Sequence, residues 1–224
     1  MIRPNRFRAN IVIITASLVV ITILISIVSY IMQLQLLNEP LIERGDAMNN
    51  DFRVRVILYG FGLIRVVAFI SFILWMRRAY VNLHQSKTSL LHTEGWAAGG
   101  WFVPILNFYI PYQILNEVWT KTQLKIRKEV ESVNLVSTWW LFYILVFCLS
   151  LINSFYVIIY RHERTVLTVN TIGQIIIYTI YLFHQIIGIQ IIYRMIPFEL
   201  ELKDMEIEDE PENHLIIPDH SPIV

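Results

Sequence analysis

Four apolar stretches, each 23 residues long, constrain this chain more than any other feature of its sequence. They cover residues 11–33, 54–76, 138–160 and 171–193, and none of them contains an aspartate or a glutamate. About 20 mostly apolar residues are enough for an α-helix to cross about 30 Å of hydrocarbon. The sequence therefore predicts an all-α membrane protein whose four transmembrane helices lie in a membrane domain of residues 1–198.

The composition supports a membrane domain for most of the chain, and it changes after residue 198. Hydrophobic residues make up 55% and charged residues 16% of the sequence, whereas a soluble domain is about 25% charged. Residues 199–224 instead hold nine acidic residues and one basic residue, with no aromatic residue after Phe198. Acidic segments of this kind bury too little apolar surface to fold, so we predict a disordered acidic tail over 199–224.

A fifth apolar segment, residues 95–119, is long enough to span but is interrupted. It contains Gly99, Gly100, Pro104 and Pro111. Each proline removes a helical hydrogen bond, and lipid offers no replacement for it. We therefore expect short helices broken near the two prolines, lying in the membrane interface or re-entering from one side.

The basic residues predict the orientation. Positively charged loops stay preferentially in the cytoplasm, and four spans place the N-terminus, the 77–137 loop and the tail on one side. The basic residues of that side are Arg3, Arg6, Arg8, Arg77, Arg78, Lys87, Lys121, Lys125, Arg127, Lys128, Arg194 and Lys203. The opposite side holds only Arg44, Arg53, Arg161 and Arg164, with Arg55 at the border. We expect both termini to be cytoplasmic.

Arg65 lies near the midpoint of the second stretch, where a charge costs about 2.5–3.5 kcal/mol on insertion scales. It is either an anion or substrate contact, or a residue accommodated by neighbouring polar groups, which is the simpler expectation. No stretch contains an acid to pair with it, so a carboxylate partner would have to be Glu117 on a deeply inserted 95–119 segment.

The last stretch carries polar and small residues at spacings of three and four, which places them on one helix face. They are Thr171, Gln174, Tyr178, Tyr181, Gln185 and Gly188. Such a face is typical of helix packing in lipid, and lining a wet pathway is the alternative.

The sequence contains no motif for a familiar catalytic or metal site. It lacks a phosphate-binding glycine loop, a His-Glu-x-x-His zinc motif and a Gly-x-Ser-x-Gly nucleophile elbow. His84 and His92 lack metal-ligand spacing and are expected on the surface. The single cysteine, Cys148, excludes an intrachain disulfide. We expect no catalytic residue, no metal, no cofactor and no nucleic-acid partner.

The run from Trp75 to Trp119 resembles a bacterial membrane family known as domain of unknown function 4328. The residues that carry the resemblance are Arg78, Ala79, Asn82, Leu83, Gly95, Trp96, Ala97, Trp101, Phe102, Pro104, Asn107, Pro111, Tyr112, Gln113, Glu117 and Trp119. The chain departs from the family pattern at Glu94, where a proline is usual, and at Ile110, where a basic residue is usual. The resemblance implies a multi-pass protein of a bacterial cytoplasmic membrane and supplies no activity.

Three functions remain open at this point. The first is a non-enzymatic scaffold or regulatory component that contacts the lipid bilayer, anionic headgroups and protein partners or a second copy. The second is a small transporter or channel subunit that uses Arg65 and the polar face of the last helix. An intramembrane enzyme is the third, and no recognisable catalytic set supports it.

Overall fold

The computed structural model describes residues 2–126, 129–161 and 165–209, with side chains described as far as Met205. Its helices are α1 (Arg6–Leu37), α2 (Arg44–Gln85), α3 (Trp96–Gly99), a 3₁₀ turn (Leu106–Phe108), α4 (Ile110–Ile126), α5 (Asn134–Ile159) and α6 (Val166–Asp209). Four of them, α1, α2, α5 and α6, are long and apolar enough to cross a membrane. They coincide with the four predicted stretches, so the prediction of an all-α membrane protein is confirmed.

The four long helices form one layer in the order α2, α1, α6 and α5. The two central helices, α1 and α6, pack against each other along their length. Helix α2 packs on α1, and α5 packs on α6, so α2 and α5 are the two edges of the layer. We call the end of the layer where α1 begins the N-terminal end, and the end where α1 stops the opposite end.

The central interface uses small and polar side chains. Ser26 of α1 is fully buried and donates its hydroxyl to the Thr22 carbonyl at 2.7 Å, so it needs no partner on α6. Gln33 donates from Nε2 to the Thr171 hydroxyl at 2.9 Å across the interface. Small residues allow close helix approach in lipid, and interhelical hydrogen bonds add to it. These contacts favour packing as the role of this part of the α6 polar face.

The 95–119 segment is broken, as predicted, but its two prolines act differently. Pro104 lies in the irregular stretch between α3 and the 3₁₀ turn. Pro111 is the second residue of α4, in a first turn whose N–H groups have no helical partner in any case. Pro111 therefore starts a helix, and α4 continues for 17 residues to Ile126.

Aromatic contacts place the broken stretch beside the spans rather than beyond their ends. The Trp101 ring lies 5.4 Å from the Phe69 ring of α2, and Phe108 lies 4.8 Å from Phe147 of α5. Phe69 precedes Met76, the end of the predicted span, by seven residues, or about 10 Å of helix. The chain thus folds back from the N-terminal end beside the spans, with Trp101 against α2 and Phe108 against α5. We call residues 96–110 the re-entrant segment.

The structure differs from the prediction at the start of the acidic tail. Helix α6 does not stop at residue 198 but continues through Asp209. Met195, Phe198 and Leu202 form a buried helical stripe, and Phe198 lies 6.4 Å from the Trp119 ring of α4. Composition alone missed this stripe because the acids on the other faces dominate the segment. The remainder of the predicted tail, residues 210–224, lies outside the described residues.

Two adjacent glycines give a matched test of how closely the re-entrant segment packs. A Cβ at Gly100 would lie 2.9 Å from Ile110 Cγ2 and 2.9 Å from the Trp96 carbonyl oxygen, whereas one at Gly99 would meet nothing within 4 Å. We expect Gly100→Ala to lower the free energy of unfolding by about 1–3 kcal/mol, since overpacking displaces neighbours. Gly99→Ala should be neutral or slightly stabilising. Equal thermal unfolding midpoints of the two variants in detergent would contradict this packing.

Candidate functional site

Several of the predicted residues come together in two places. One is a hydrogen-bonded latch at the N-terminal end, where α2, the 86–95 loop and α4 meet. The other is a cavity between the four long helices, closed at the N-terminal end by the re-entrant segment.

Glu117 of α4 is the centre of the latch. Its side chain is buried, and both carboxylate oxygens accept hydrogen bonds. Oε2 accepts from the Tyr80 hydroxyl at 2.7 Å, and Oε1 accepts from the Leu91 backbone N–H at 3.0 Å. A buried carboxylate is tolerated when donors satisfy it, and here the donors come from α2 and from the loop. Glu117 therefore holds three consecutive parts of the chain together.

The two loop histidines belong to the same latch, contrary to the prediction that they are surface residues. Both are half-buried. The His92 N–H donates to the Tyr80 hydroxyl at 3.1 Å, and its ring Nε2 lies 2.8 Å from Gln113 Oε1 of α4. His84 Nε2 lies 3.1 Å from the His92 carbonyl oxygen, so the imidazole donates in this contact. Because these groups are hydrogen-bonded to one another, the two histidines hold the loop in place.

Asn82 fastens the N-terminal segment to the end of α2. Its side-chain amide donates to the Arg3 carbonyl at 2.9 Å and accepts from the Arg3 N–H at 3.2 Å. Asn5, two residues on, donates to the Trp75 carbonyl at 3.2 Å and to Glu199 Oε1 at 2.9 Å. The start of the chain is thus bonded to both α2 and α6.

Arg78 belongs to a basic cluster at this end. Arg3, Arg8 and Arg77 lie close enough to Arg78 for their charges to repel it. Four like charges at one place are unfavourable without counter-ions. The cluster is therefore a candidate contact for anionic groups.

The remaining motif residues are packing contacts of the re-entrant segment and α4. Trp119 is fully buried and donates its indole N–H to the Glu131 carbonyl at 3.3 Å. The Tyr112 hydroxyl lies 3.1 Å from that of Ser137 on α5. Trp96 is half-buried against the main core, and the Oδ1 of Asn107 is buried without a hydrogen-bond partner among the described residues.

The tip of the re-entrant segment has a strained backbone. Ile105 has φ 69° and ψ −48°, and the Leu106 N–H bonds the Pro104 carbonyl at 2.8 Å, closing a three-residue turn around it. This is a γ-turn of the rare, strained kind, and a β-branched residue at positive φ is an outlier. Such turns persist where their surroundings determine them, and here the latch and the Trp101 contacts hold the two legs.

The second site is a cavity of about 170 Å³ between the four long helices. It is mostly apolar, and every long helix and the re-entrant segment contribute to its walls. The lining residues are Val12, Ala16, Arg65, Ala68, Phe69, Phe72, Trp101, Trp139, Tyr143, Tyr181, His184, Gln185, Gly188, Ile189 and Ile192.

Arg65 reaches tyrosines of α6 rather than Glu117. Its Nη2 donates to the Tyr178 hydroxyl at 3.0 Å. The guanidinium carbon lies 4.9 Å from the centre of the Tyr178 ring and 5.9 Å from that of Tyr181, both within cation–π range. Neighbouring polar groups thus accommodate part of the guanidinium, while its Nε is buried without a partner among the described residues.

The structure divides the predicted polar face of α6. Tyr181 and Gln185 line the cavity, and Tyr178 bonds Arg65 beside it. Gln174 is half-buried and is not a lining residue. Sequence reasoning missed His184, which is buried in the cavity wall. Its position three residues after Tyr181 on the same face was the available signal.

The two sites offer hydrogen-bonding groups and apolar contacts. Within the part of the chain that the structure describes, no group of three or more metal-ligating side chains comes together. The carboxylate of the latch is engaged by its donors, and the cavity offers N–H groups and aromatic faces.

Two tyrosine variants test the latch, one inside it and one outside it. Tyr80→Phe removes a donor from the buried Glu117 carboxylate, so we expect the free energy of unfolding to fall by about 1–3 kcal/mol and the 86–95 loop to become more sensitive to protease. Tyr109→Phe is the control, because Tyr109 lies on the re-entrant segment with its side chain exposed. Equal protease sensitivity of the two variants would contradict the latch.

The comparisons with known proteins agree with this architecture. No curated protein and no solved structure matches the chain. The family model described as domain of unknown function (DUF4328) matches residues 38–193, which include α2, the latch, the re-entrant segment, α5 and the span of α6. By that match over more than half of its length, the chain belongs to the family of domain of unknown function 4328.

Proposed function

We propose that this protein is a non-enzymatic interaction component of a bacterial cytoplasmic membrane, which binds a transmembrane helix of a partner protein at its re-entrant segment. One observation carries the proposal: the tip of the segment holds large apolar side chains outward on a fixed backbone. Phe102, Ile105 and Tyr109 are exposed by 70%, 81% and 59%. Exposed apolar patches on a rigid frame are typical of interaction sites.

The position of the tip supports a helix as the occupant. The tip lies beside Phe69 and Phe147, within the depth of the spans, where the only neighbours are lipid tails and membrane-spanning helices. A segment that contacted only lipid could be a continuous helix and would need no strained turn. A partner helix can gain van der Waals contact from a side chain that is fixed in place.

The basic cluster supports the proposed orientation and a lipid contact. Arg3, Arg8, Arg77 and Arg78 lie together at the N-terminal end. Positive charge favours the cytoplasmic side, and each such charge adds about 1 kcal/mol of attraction to anionic headgroups. Both termini would then face the cytoplasm, with anionic lipids against the cluster.

The alternative, a small transporter or channel subunit, is supported by the cavity beside Arg65. The α1–α6 contacts beyond it favour a closed structure over a wet pathway. The Tyr30 and Tyr178 rings lie 5.5 Å apart, and the Gln33–Thr171 hydrogen bond follows toward the opposite end. A transporter would have to separate these central helices.

Cysteine labelling tests the orientation. In a Cys148→Ser background, we expect Asn49→Cys and Glu163→Cys to react with an impermeant thiol reagent in intact cells, and Lys125→Cys to react only after lysis. The positive-inside distribution of basic residues is the reason. Reaction of Lys125→Cys in intact cells would contradict the four-span orientation.

Photo-crosslinking in cells tests the interaction. A photoreactive amino acid at Ile105 should give a discrete protein adduct, identified by mass spectrometry as a membrane-spanning protein. The same substitution at Ile152 of α5, which is exposed by 64% but lies away from the segment, should give lipid adducts only. If both positions give lipid adducts only, the segment faces lipid and the proposed function is wrong.

A further inference from the structure

We propose that the Arg65 cavity binds a lipid-soluble ligand with an oxyanion head on an apolar chain, such as a fatty-acid carboxylate. This site is separate from the exposed tip of the re-entrant segment and does not depend on its partner. The argument rests on unpartnered hydrogen-bond donors, on an uncompensated charge and on the shape of the site.

Three side chains in the cavity wall have a buried nitrogen without a hydrogen-bond partner among the described residues. They are Arg65 Nε, Trp101 Nε1 and His184 Nε2. They come from α2, the re-entrant segment and α6, so the fold brings together groups that are far apart in sequence. Leaving one buried polar group unsatisfied costs about 1–3 kcal/mol. Three of them around one cavity indicate a ligand that accepts hydrogen bonds.

The His184 ring is positioned to act as a donor. It stacks between Trp139, at 4.8 Å and 23°, and Tyr181, at 5.7 Å and 21°. Gln185 Nε2 lies 3.4 Å from His184 Nδ1, in a long contact that favours Nδ1 as the acceptor. In a neutral imidazole the proton is then on Nε2. With the N–H groups of Arg65 and Trp101, the wall has three donors without a partner among the described residues.

The charge of Arg65 selects an anion from among the possible acceptors. The four spans contain no aspartate or glutamate, so no span supplies a carboxylate to compensate the guanidinium. The Tyr178 hydroxyl and the two tyrosine faces lower the cost of the charge without neutralising it. An oxyanion would both neutralise it and accept its Nε–H, in a charge-assisted hydrogen bond.

The size and the walls of the cavity fit an apolar chain behind that head. An apolar cavity of about 150 Å³ accommodates one benzene molecule, so the 170 Å³ here is enough for a head and its first carbons. Phe69, Phe72 and Ile189 supply apolar walls. The Phe72 and Trp139 rings lie 5.4 Å apart and join α2 to α5 beside the cavity, so the proposal places the head and the first carbons in the cavity and leaves the rest of the chain to the surrounding lipid.

A brominated fatty acid provides a direct binding measurement. The full-length protein is reconstituted in nanodiscs of zwitterionic lipid and titrated with dibrominated stearate, whose bromines quench nearby tryptophans; Trp101 and Trp139 line the cavity. We expect saturable quenching by the carboxylate and only linear, partition-limited quenching by its methyl ester. Equal quenching by the two compounds would overturn the proposal. Nanodiscs that contain phosphatidylglycerol distinguish the source, since competition there identifies a phospholipid phosphate as the natural head.

Three variants complete the test, each first checked for monodispersity and helical content. Arg65→Gln should weaken binding by about tenfold or more, as expected for loss of a charge-assisted contact. The control Arg55→Gln changes an exposed arginine of the same helix and should leave binding within about twofold. Ala68→Phe fills the cavity without altering its charge and should abolish saturable quenching. Retained binding in a folded Arg65→Gln or Ala68→Phe protein would show that the ligand lies elsewhere.

Discussion

The packing of Trp101 between the two edge helices is the contact on which the rest of the structure depends. Its ring lies 5.4 Å from Phe69 of α2 and 6.1 Å from Trp140 of α5. These helices are the two edges of the layer, and they meet in one aromatic cluster in which Phe72 of α2 also lies 5.4 Å from Trp139 of α5. An aromatic ring contributes a large contact area in a defined geometry. Trp101 therefore closes the N-terminal half of the layer and fixes the depth of the re-entrant segment.

Two charged side chains inside the fold, the buried Glu117 and the partly buried Arg65, are accommodated in different ways. The difference distinguishes a structural contact from a candidate binding site. Glu117 receives donors from Tyr80 and from the Leu91 N–H, so its latch is complete within the protein. Arg65 donates a hydrogen bond to Tyr178, and its Nε has no partner in the part of the chain that the structure describes. A satisfied charge rigidifies its surroundings, whereas the incompletely satisfied charge of Arg65 is the basis on which we propose a ligand site.

The sequence predicts the features that depend on local composition and misses those that depend on folding. Apolar length predicted the four spans, and Pro104 predicted the break before α4. The helical stripe of Phe198 and Leu202 was hidden by the surrounding acids. The Tyr80–Glu117 bond joins residues 37 positions apart, and no periodicity within a single helix indicates such a pair. His184 carried a signal by its spacing, but its donor role depends on Trp139 and Gln185 around it.

The most direct test of the re-entrant segment is a cross-link between its tip and the edge helix. The Phe102 and Phe69 rings are 6.5 Å apart. In a Cys148→Ser background, Phe102→Cys with Phe69→Cys should form a product with a short bifunctional thiol reagent. Phe102→Cys with Tyr59→Cys should not, because Tyr59 lies about 15 Å farther along α2. Cross-linking of the Tyr59 pair but not the Phe69 pair would place the segment in a different path and contradict this structure.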